Sequence, residues 1–287
     1  MHRERILIIF LVILCGLIAA TTAGVASAAD PGRDSLPAAY SKEPSAFHSY
    51  LPSYIGYTVN NSNSDNTQEV KFQFSVKYEF IENSDWYLGY TQKSFWRTQK
   101  SSAPFRETNF SPETFWLYKP DNLSWLPVVQ AGFFRHESTG EAGAGSRGWN
   151  ITYVEPVFSW GGFSLVPRIW AASLFHGFDE KKAAADNPDI FRYYGYGKLS
   201  ALYRYKEDVQ LALSLQYAPK DSSITWEGQA DLAWRSIAAA FSKLFGFEYT
   251  PKWNPSYFVQ ARNGYGEGLK TYNVKISSVV VGISLVR

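Results

Sequence analysis

Three residues of this chain, His136, Ser138 and Asn150, could between them do hydrolytic chemistry. They lie in FFRHESTGEAGAGSRGWNITYVEP, from Phe133 to Pro156, which reads as a β-hairpin. Side chains two apart on a strand share a face, so His136 and Ser138 point the same way. The returning strand, from about Gly148, can set Asn150 beside them. A hydroxyl, an imidazole and an amide so placed supply a nucleophile, a base and a group to orient that base. An H-x-S spacing alone arises readily by chance, and a lone histidine is more often a rim residue. The surrounding chain has to supply the rest of the weight. Two glycine-rich runs point elsewhere only superficially. Gly140 to Gly148 lacks the Gly-Lys-Ser/Thr ending of a phosphate loop, and no helix follows Gly264, Gly266 and Gly268 to make a dinucleotide fingerprint.

The elements that must position these residues read as strands. Residues 1–28 form a secretory signal: His2, Arg3 and Arg5, an apolar run from Ile6 to Ala20, then Ala26-Ser27-Ala28. The single cysteine, Cys15, falls inside that apolar run, so the exported chain has no thiol chemistry or disulfide. Residues 29–67 read as a polar N-terminal arm. From there to Arg287 the pattern is a period of two. In KFQFSVKYEF, Phe72, Phe74, Val76, Tyr78 and Phe80 alternate with Lys71, Gln73, Ser75, Lys77 and Glu79. Leu211 to Tyr217 and Val279 to Leu285 repeat it. Further candidates at 85–97, 109–119, 125–138, 147–159, 162–174, 190–205, 222–234, 237–249 and 255–263 bring the expected number to twelve. The segment at 237–249 also carries a helical pattern.

Aromatic residues make up 17% of the chain, yet mean hydropathy is slightly negative at −0.24. That mixture suits aromatic girdles around a polar interior. The strand lengths and the aromatic load argue against a soluble β-sandwich. The expected fold is a single all-β, twelve-stranded antiparallel transmembrane β-barrel over 68–287. A net charge of +2, with lysine and arginine scattered, excludes a nucleic-acid stripe.

YTQKSFWRT at 90–98, SSAPFRETNFSPETF at 101–115, HESTGEAGAGSRGWN at 136–150, DNPDI at 186–190 and NGYGEGL at 263–269 resemble the outer-membrane phospholipase A family, in that family's order. The resemblance implies a calcium-dependent phospholipase of A1/A2 type that also hydrolyses lysophospholipids. It would work in the outer membrane on membrane phospholipids and be activated by reversible homodimerisation. It implies Ser138 as nucleophile, His136 as base and Asn150 as the group orienting the imidazole. It makes the Gly140 N–H an oxyanion donor and assigns Ca²⁺ to Ser146, to the Glu141 carbonyl and to Ser102 from a second subunit. Asp186 matches a further calcium position. The chain departs from the family pattern at Thr139, Glu141 and Ala103, where asparagine, arginine and serine are usual. A barrel that kept this fold as a non-enzymatic channel or structural protein is the alternative those changes leave open.

Overall fold

The alternation in the first long strand is realised inside out. Lys71, Ser75 and Lys77 are buried, whereas Phe74, Tyr78 and Phe80 are exposed. Charged residues inside and aromatic ones outside are what a barrel immersed in lipid requires. The computed structural model describes residues 38–40, 47–61, 68–120, 127–173, 186–206, 208–246 and 255–284. The signal at 1–28, the start of the arm and the last three residues lie outside the described residues.

Among the described residues thirteen strands occur in chain order: β1 (Phe47–Ser49), β2 (Tyr54–Asn60), β3 (Gln68–Ile81), β4 (Trp86–Trp96), β5 (Phe105–Tyr118), β6 (Val128–Ser138), β7 (Gly148–Trp160), β8 (Phe163–Ala172), β9 (Gly197–Tyr205), β10 (Val209–Ala218), β11 (Ser223–Ala233), β12 (Ser256–Gly264) and β13 (Ile276–Ser284). Two helices, α1 (Ile190–Tyr194) and α2 (Trp234–Phe245), interrupt them. From β2 to β13 each strand pairs antiparallel with the next, and β13 pairs back onto β2, closing a ring of twelve. The short β1 shares the edge of β3 that β2 uses, with Phe47 opposite Tyr78 and Tyr54 opposite Gln73. Closure leaves no open edge, which a chain crossing lipid cannot tolerate.

The ring has the expected twelve strands, but two are not where the sequence pattern put them. One barrel strand, β2, lies within the stretch read as a polar arm. The candidate at 237–249 is helical as far as Phe245, where Trp234 to Phe245 form α2, and its last three residues lie outside the described residues. The candidate at 190–205 begins with the helix α1 and becomes a strand only at Gly197.

The lumen is built in two zones. At the end away from the β6–β7 loop, Tyr50, Tyr87, Phe115, Leu117, Val128, Val157 and Val166 form an apolar cluster that takes in Ala39 and Tyr40 from a short 3-10 turn. Lys77 Nζ donates to the Ala39 carbonyl at 2.7 Å, and the Tyr40 hydroxyl donates to Glu155 at 2.5 Å. The arm therefore plugs this end. Several lumen charges are paired: Glu69 with Arg97 and Arg106, and Glu155 with Arg168. Such pairing is what allows charges to be buried at all.

Candidate active site

β6 and β7 form the predicted hairpin. His136 lies opposite Asn150 and Ser138 opposite Gly148. Period two alone does not decide which face of the barrel they occupy. Gln130 and Gly132 point into the lumen, and strict alternation would send 134, 136 and 138 after them. A β-bulge intervenes. Between the pairs Gly132–Tyr153 and Arg135–Ile151, two residues of β6, Phe133 and Phe134, oppose the single Thr152. Thr152 Oγ1 donates to the Phe133 carbonyl at 2.9 Å, a bond made within the irregular stretch. The extra residue inverts the phase. Beyond it Arg135 faces inward, near Glu113 at 3.9 Å, and Glu137 faces inward to accept the Trp149 indole N–H at 3.1 Å. His136 and Ser138 are thereby turned to the lipid face.

On that face, Nδ1 of His136 lies 2.7 Å from Oδ1 of Asn150. An amide oxygen can only accept, so Nδ1 carries a proton, and in the neutral ring the lone pair is on Nε2. Phe134 lies parallel to the imidazole, 6.4 Å between centroids. Ser138 stands two residues on and is half-buried. A side chain on Gly148 would begin 3.6 Å from Ser138 Cβ and 3.8 Å from His136 Cε1, so glycine there leaves the ground between hydroxyl and imidazole open. A hydroxyl on the same face as an imidazole oriented through Nδ1 is an arrangement suited to nucleophilic attack with general-base help.

The loop between the strands is tied to β6 by Thr139. Its hydroxyl donates to the Gly145 carbonyl at 3.0 Å and accepts from the Arg147 N–H at 3.1 Å. Gly140 follows with φ +66°, and a Cβ there would meet the Phe110 ring at 2.9 Å. Both strain and space demand glycine.

DNPDI lies across the barrel mouth beside this loop. α1 sinks Ile190 and Tyr193 into a cluster with Trp149, Ile151, Trp170, Leu269 and Tyr272. Tyr272 donates to Asp189 at 2.5 Å, and burial together with that bond pushes its phenol up to about 12. So anchored, the segment puts Asp186 Oδ2 2.6 Å from the Ser146 hydroxyl. Asn187 is the residue that sequence reasoning passed over. Its Nδ2 donates to the Gly148 carbonyl at 2.5 Å and its Oδ1 accepts from the Gly148 N–H at 3.3 Å. β8 pairs with β7 only from Ile151 onward, so Asn187 takes the place of a strand where β7 enters the site. Asn187→Ala is expected to lower kcat by roughly tenfold with little change in KM, because geometry is lost rather than substrate contact. A KM effect alone would remove Asn187 from this positioning role.

Of the remaining candidates, Glu141 lies in the β6–β7 loop against Gly145, and Ser102 stands apart. The Glu141 carboxylate pairs with Lys270 at 2.6 Å. Ser102 is exposed on the β4–β5 turn with φ +64°.

A family model for phospholipase A1 matches residues 36–285. A putative phospholipase A1 of Neisseria meningitidis serogroup B is 32% identical over 228 residues, covering 75% of this chain and 54% of that protein. This chain therefore spans little more than half of that relative's length. Phospholipase A1 of Escherichia coli K12 is 32% identical over 227 residues, covering 76% of this chain and 69% of the relative. The structure of outer membrane phospholipase A from Escherichia coli superposes with a TM-score of 0.65 at 28% identity, over 85% of this chain and 93% of the other. That of the Salmonella typhi outer membrane phospholipase dimer with bound calcium gives 0.65 at 28% identity, over 86% and 95%. With one model spanning nearly the whole barrel, relatives above 30% identity and the same closed ring of strands, the chain belongs to the phospholipase A1 family, whose solved members include outer membrane phospholipase A.

Proposed function

We propose that this barrel is an outer-membrane phospholipase that hydrolyses acyl esters of glycerophospholipids and lysophospholipids through Ser138, His136 and Asn150. The observation that carries the reading is the His136–Asn150 pair, directed outward by the bulge with Ser138 on the same lipid-facing side. A water-soluble substrate would not call for that orientation, whereas a lipid ester arrives there from the leaflet. An asparagine-to-alanine active-site mutant is among the solved forms of the Escherichia coli enzyme, which supports giving Asn150 a place in the site.

In this reading, Nε2 of His136 takes the Ser138 proton as Oγ adds to the ester carbonyl. The imidazolium then protonates the departing alkoxide, and a water deprotonated by the same nitrogen frees the fatty acid from Ser138. Asn150 holds the ring through Nδ1 without placing a carboxylate beside lipid, where desolvation would be costly. The Gly140 N–H, on a turn that only glycine can form, is the oxyanion donor.

Calcium suits the oxygen donors at hand. Ser146 Oγ and the Asp186 carboxylate already lie within 2.6 Å of each other, and the Glu141 carbonyl sits in the same exposed turn. Among the described residues no three His, Cys, Asp or Glu side chains gather into a metal cluster. An ion here would draw on Ser146, the Glu141 carbonyl, Asp186 and Ser102 of a second copy. The chemistry it supplies is positive charge beside a developing oxyanion. The calcium-bound dimer of the Salmonella typhi relative supports both the metal and a reversible homodimer. Residues 1–28 provide the export signal, and the longer-loop rim carrying the triad faces outward from the cell.

The test is phospholipid hydrolysis by the refolded protein in detergent micelles, with calcium or with EDTA. Activity only with calcium supports the whole reading, and activity in EDTA removes the metal roles. A folded barrel inactive in both, but conducting in planar bilayers, would be a channel. Glu141→Ala separates the carbonyl from the carboxylate. Its ion pair is partly exposed and worth under about 1 kcal/mol. The variant is expected to keep the parental calcium titration, and a large rise in the half-activating concentration would make the carboxylate itself a ligand.

A further inference from the structure

At the rim opposite the triad, α2 follows β11 directly and carries WRSIAAAFSKLF. Trp234, Ile237, Ala238, Phe241, Leu244 and Phe245 recur at helical spacing along one side. Phe241, Leu244 and Phe245 are 52%, 75% and 66% exposed, a contiguous apolar stripe. Ala239 and Lys243 lie on the other side. We propose that α2 lies in the plane of the membrane as an interfacial anchor, its apolar stripe set in the headgroup–acyl boundary of the phospholipid leaflet at this rim.

Continuity with the barrel's lipid-facing surface identifies the occupant. Across four neighbouring strands, Leu232 of β11, Tyr257 of β12, Ile283 of β13 and Ile55 of β2 stand in register, and all four are exposed. This row is the end of the apolar band, and α2 begins two residues after Leu232. The Trp234 ring meets Tyr257 edge to face at 5.8 Å, joining stripe to band. Polar contacts set the helix's roll. Arg235 Nε and the Ser236 hydroxyl both donate to Asp208 in the β9–β10 turn, at 3.0 and 2.7 Å, which clamps the polar side of the first turn to the barrel rim. The Ser242 hydroxyl is satisfied by the Ala238 carbonyl. Lys243 is exposed on the side away from the stripe, where its ammonium can meet lipid phosphates. A tryptophan at one end, a lysine near the other and an aromatic stripe between them suit a leaflet surface. The anchor would fix how deep the barrel sits from the side remote from the chemistry.

The proposal rests on the membrane-barrel reading, and one experiment separates the two. In a Cys15→Ser background, single cysteines at Phe241, Leu244, Ala239 and the outward Val281 of β13 are nitroxide-labelled. The protein is reconstituted into phosphatidylethanolamine–phosphatidylglycerol vesicles, and collision with oxygen is compared with collision with a water-soluble nickel chelate. Labels at 241 and 244 are expected to show an oxygen-to-nickel ratio several-fold above that at 239 and approaching that at 281. If 281 behaves as lipid-facing but 241 and 244 match 239, the helix lies in water and the proposal fails. Exclusion of both reagents at 241 and 244 would mean that protein covers the stripe, which also overturns it. A water-exposed 281 would instead overturn the barrel reading.

Discussion

Ser138→Ala is expected to cut kcat for phospholipid hydrolysis by roughly 10⁴-fold or more, at the scale of nucleophile loss in other serine hydrolases. The folded barrel should be unaffected in its thermal midpoint. Ser138 is half-buried on the lipid face, opposite a glycine, so removing one oxygen leaves no cavity and no orphaned donor. Asn150→Ala should act less severely, by roughly 10²-fold, because a neutral amide contributes orientation but little charge stabilisation to the imidazolium. Asn150→Asp is the sharper comparison. In solution a carboxylate would be the better partner for His136, but on this face it would have to be desolvated beside lipid. The expected result is a variant slower than the parent in bilayers. If Asn150→Asp proved faster than the parent there, the desolvation argument would go. Parental activity in Ser138→Ala would remove the proposed mechanism.

The alternation that makes the strands was plain in the sequence because both environments are extreme: lipid outside, paired charges inside. Where the physics is less extreme the pattern misled. β2 does alternate, with Ile55, Tyr57 and Val59 exposed, but it is short and embedded in Ser- and Asn-rich chain, so composition masked the period. The stretch from Ile237 to Phe245 is rich in alanine and read equally well at either period. It became a helix where the chain has already left the barrel wall and no neighbouring strand demands pairing. The facing of His136 and Asn150 followed from hairpin logic. Asn187 carried no such signal, since its partner is backbone, the Gly148 N–H and carbonyl, reached only because α1 folds over the barrel mouth. The Glu141–Lys270 pair joins loops far apart in sequence and could not be read from spacing. Nor could the bulge. His136 and Ser138 share a face whatever happens upstream, and whether that face is lumen or lipid depends on one surplus residue.

That residue supports the second large effect. Inserting one alanine between Ile151 and Thr152 of β7 would give the surplus residue of β6 a partner, restore strict alternation, turn His136 and Ser138 into the lumen together with Asn150, and drop activity to the level of Ser138→Ala. Arg135 and Glu137 would then project outward. A lipid-facing arginine costs about 2–4 kcal/mol at mid-bilayer and less near the rim, so the insertion should also lower the thermal midpoint without abolishing the barrel. Phe134→Ala separates the two roles of this position. It keeps the residue count and hence the bulge, removes only the ring parallel to His136, and is expected to retain most of the activity. Facing can be read directly with Ser138→Cys in the Cys15→Ser background: a maleimide dissolved in the bilayer should alkylate it in the bulged chain and not in the insertion variant. If the insertion variant folds, keeps its activity and still exposes position 138 to the lipid reagent, the loop from Thr139 to Arg147 has absorbed the slip. Orientation would then be held by the loop's own ties, Thr139 to Gly145 and Arg147, and Ser146 to Asp186, rather than by the bulge. The bulge is the stronger candidate because it lies within the hydrogen-bonded ladder, where a one-residue slip must exchange every lumen and lipid contact downstream, while the loop can shift at the cost of a few hydrogen bonds.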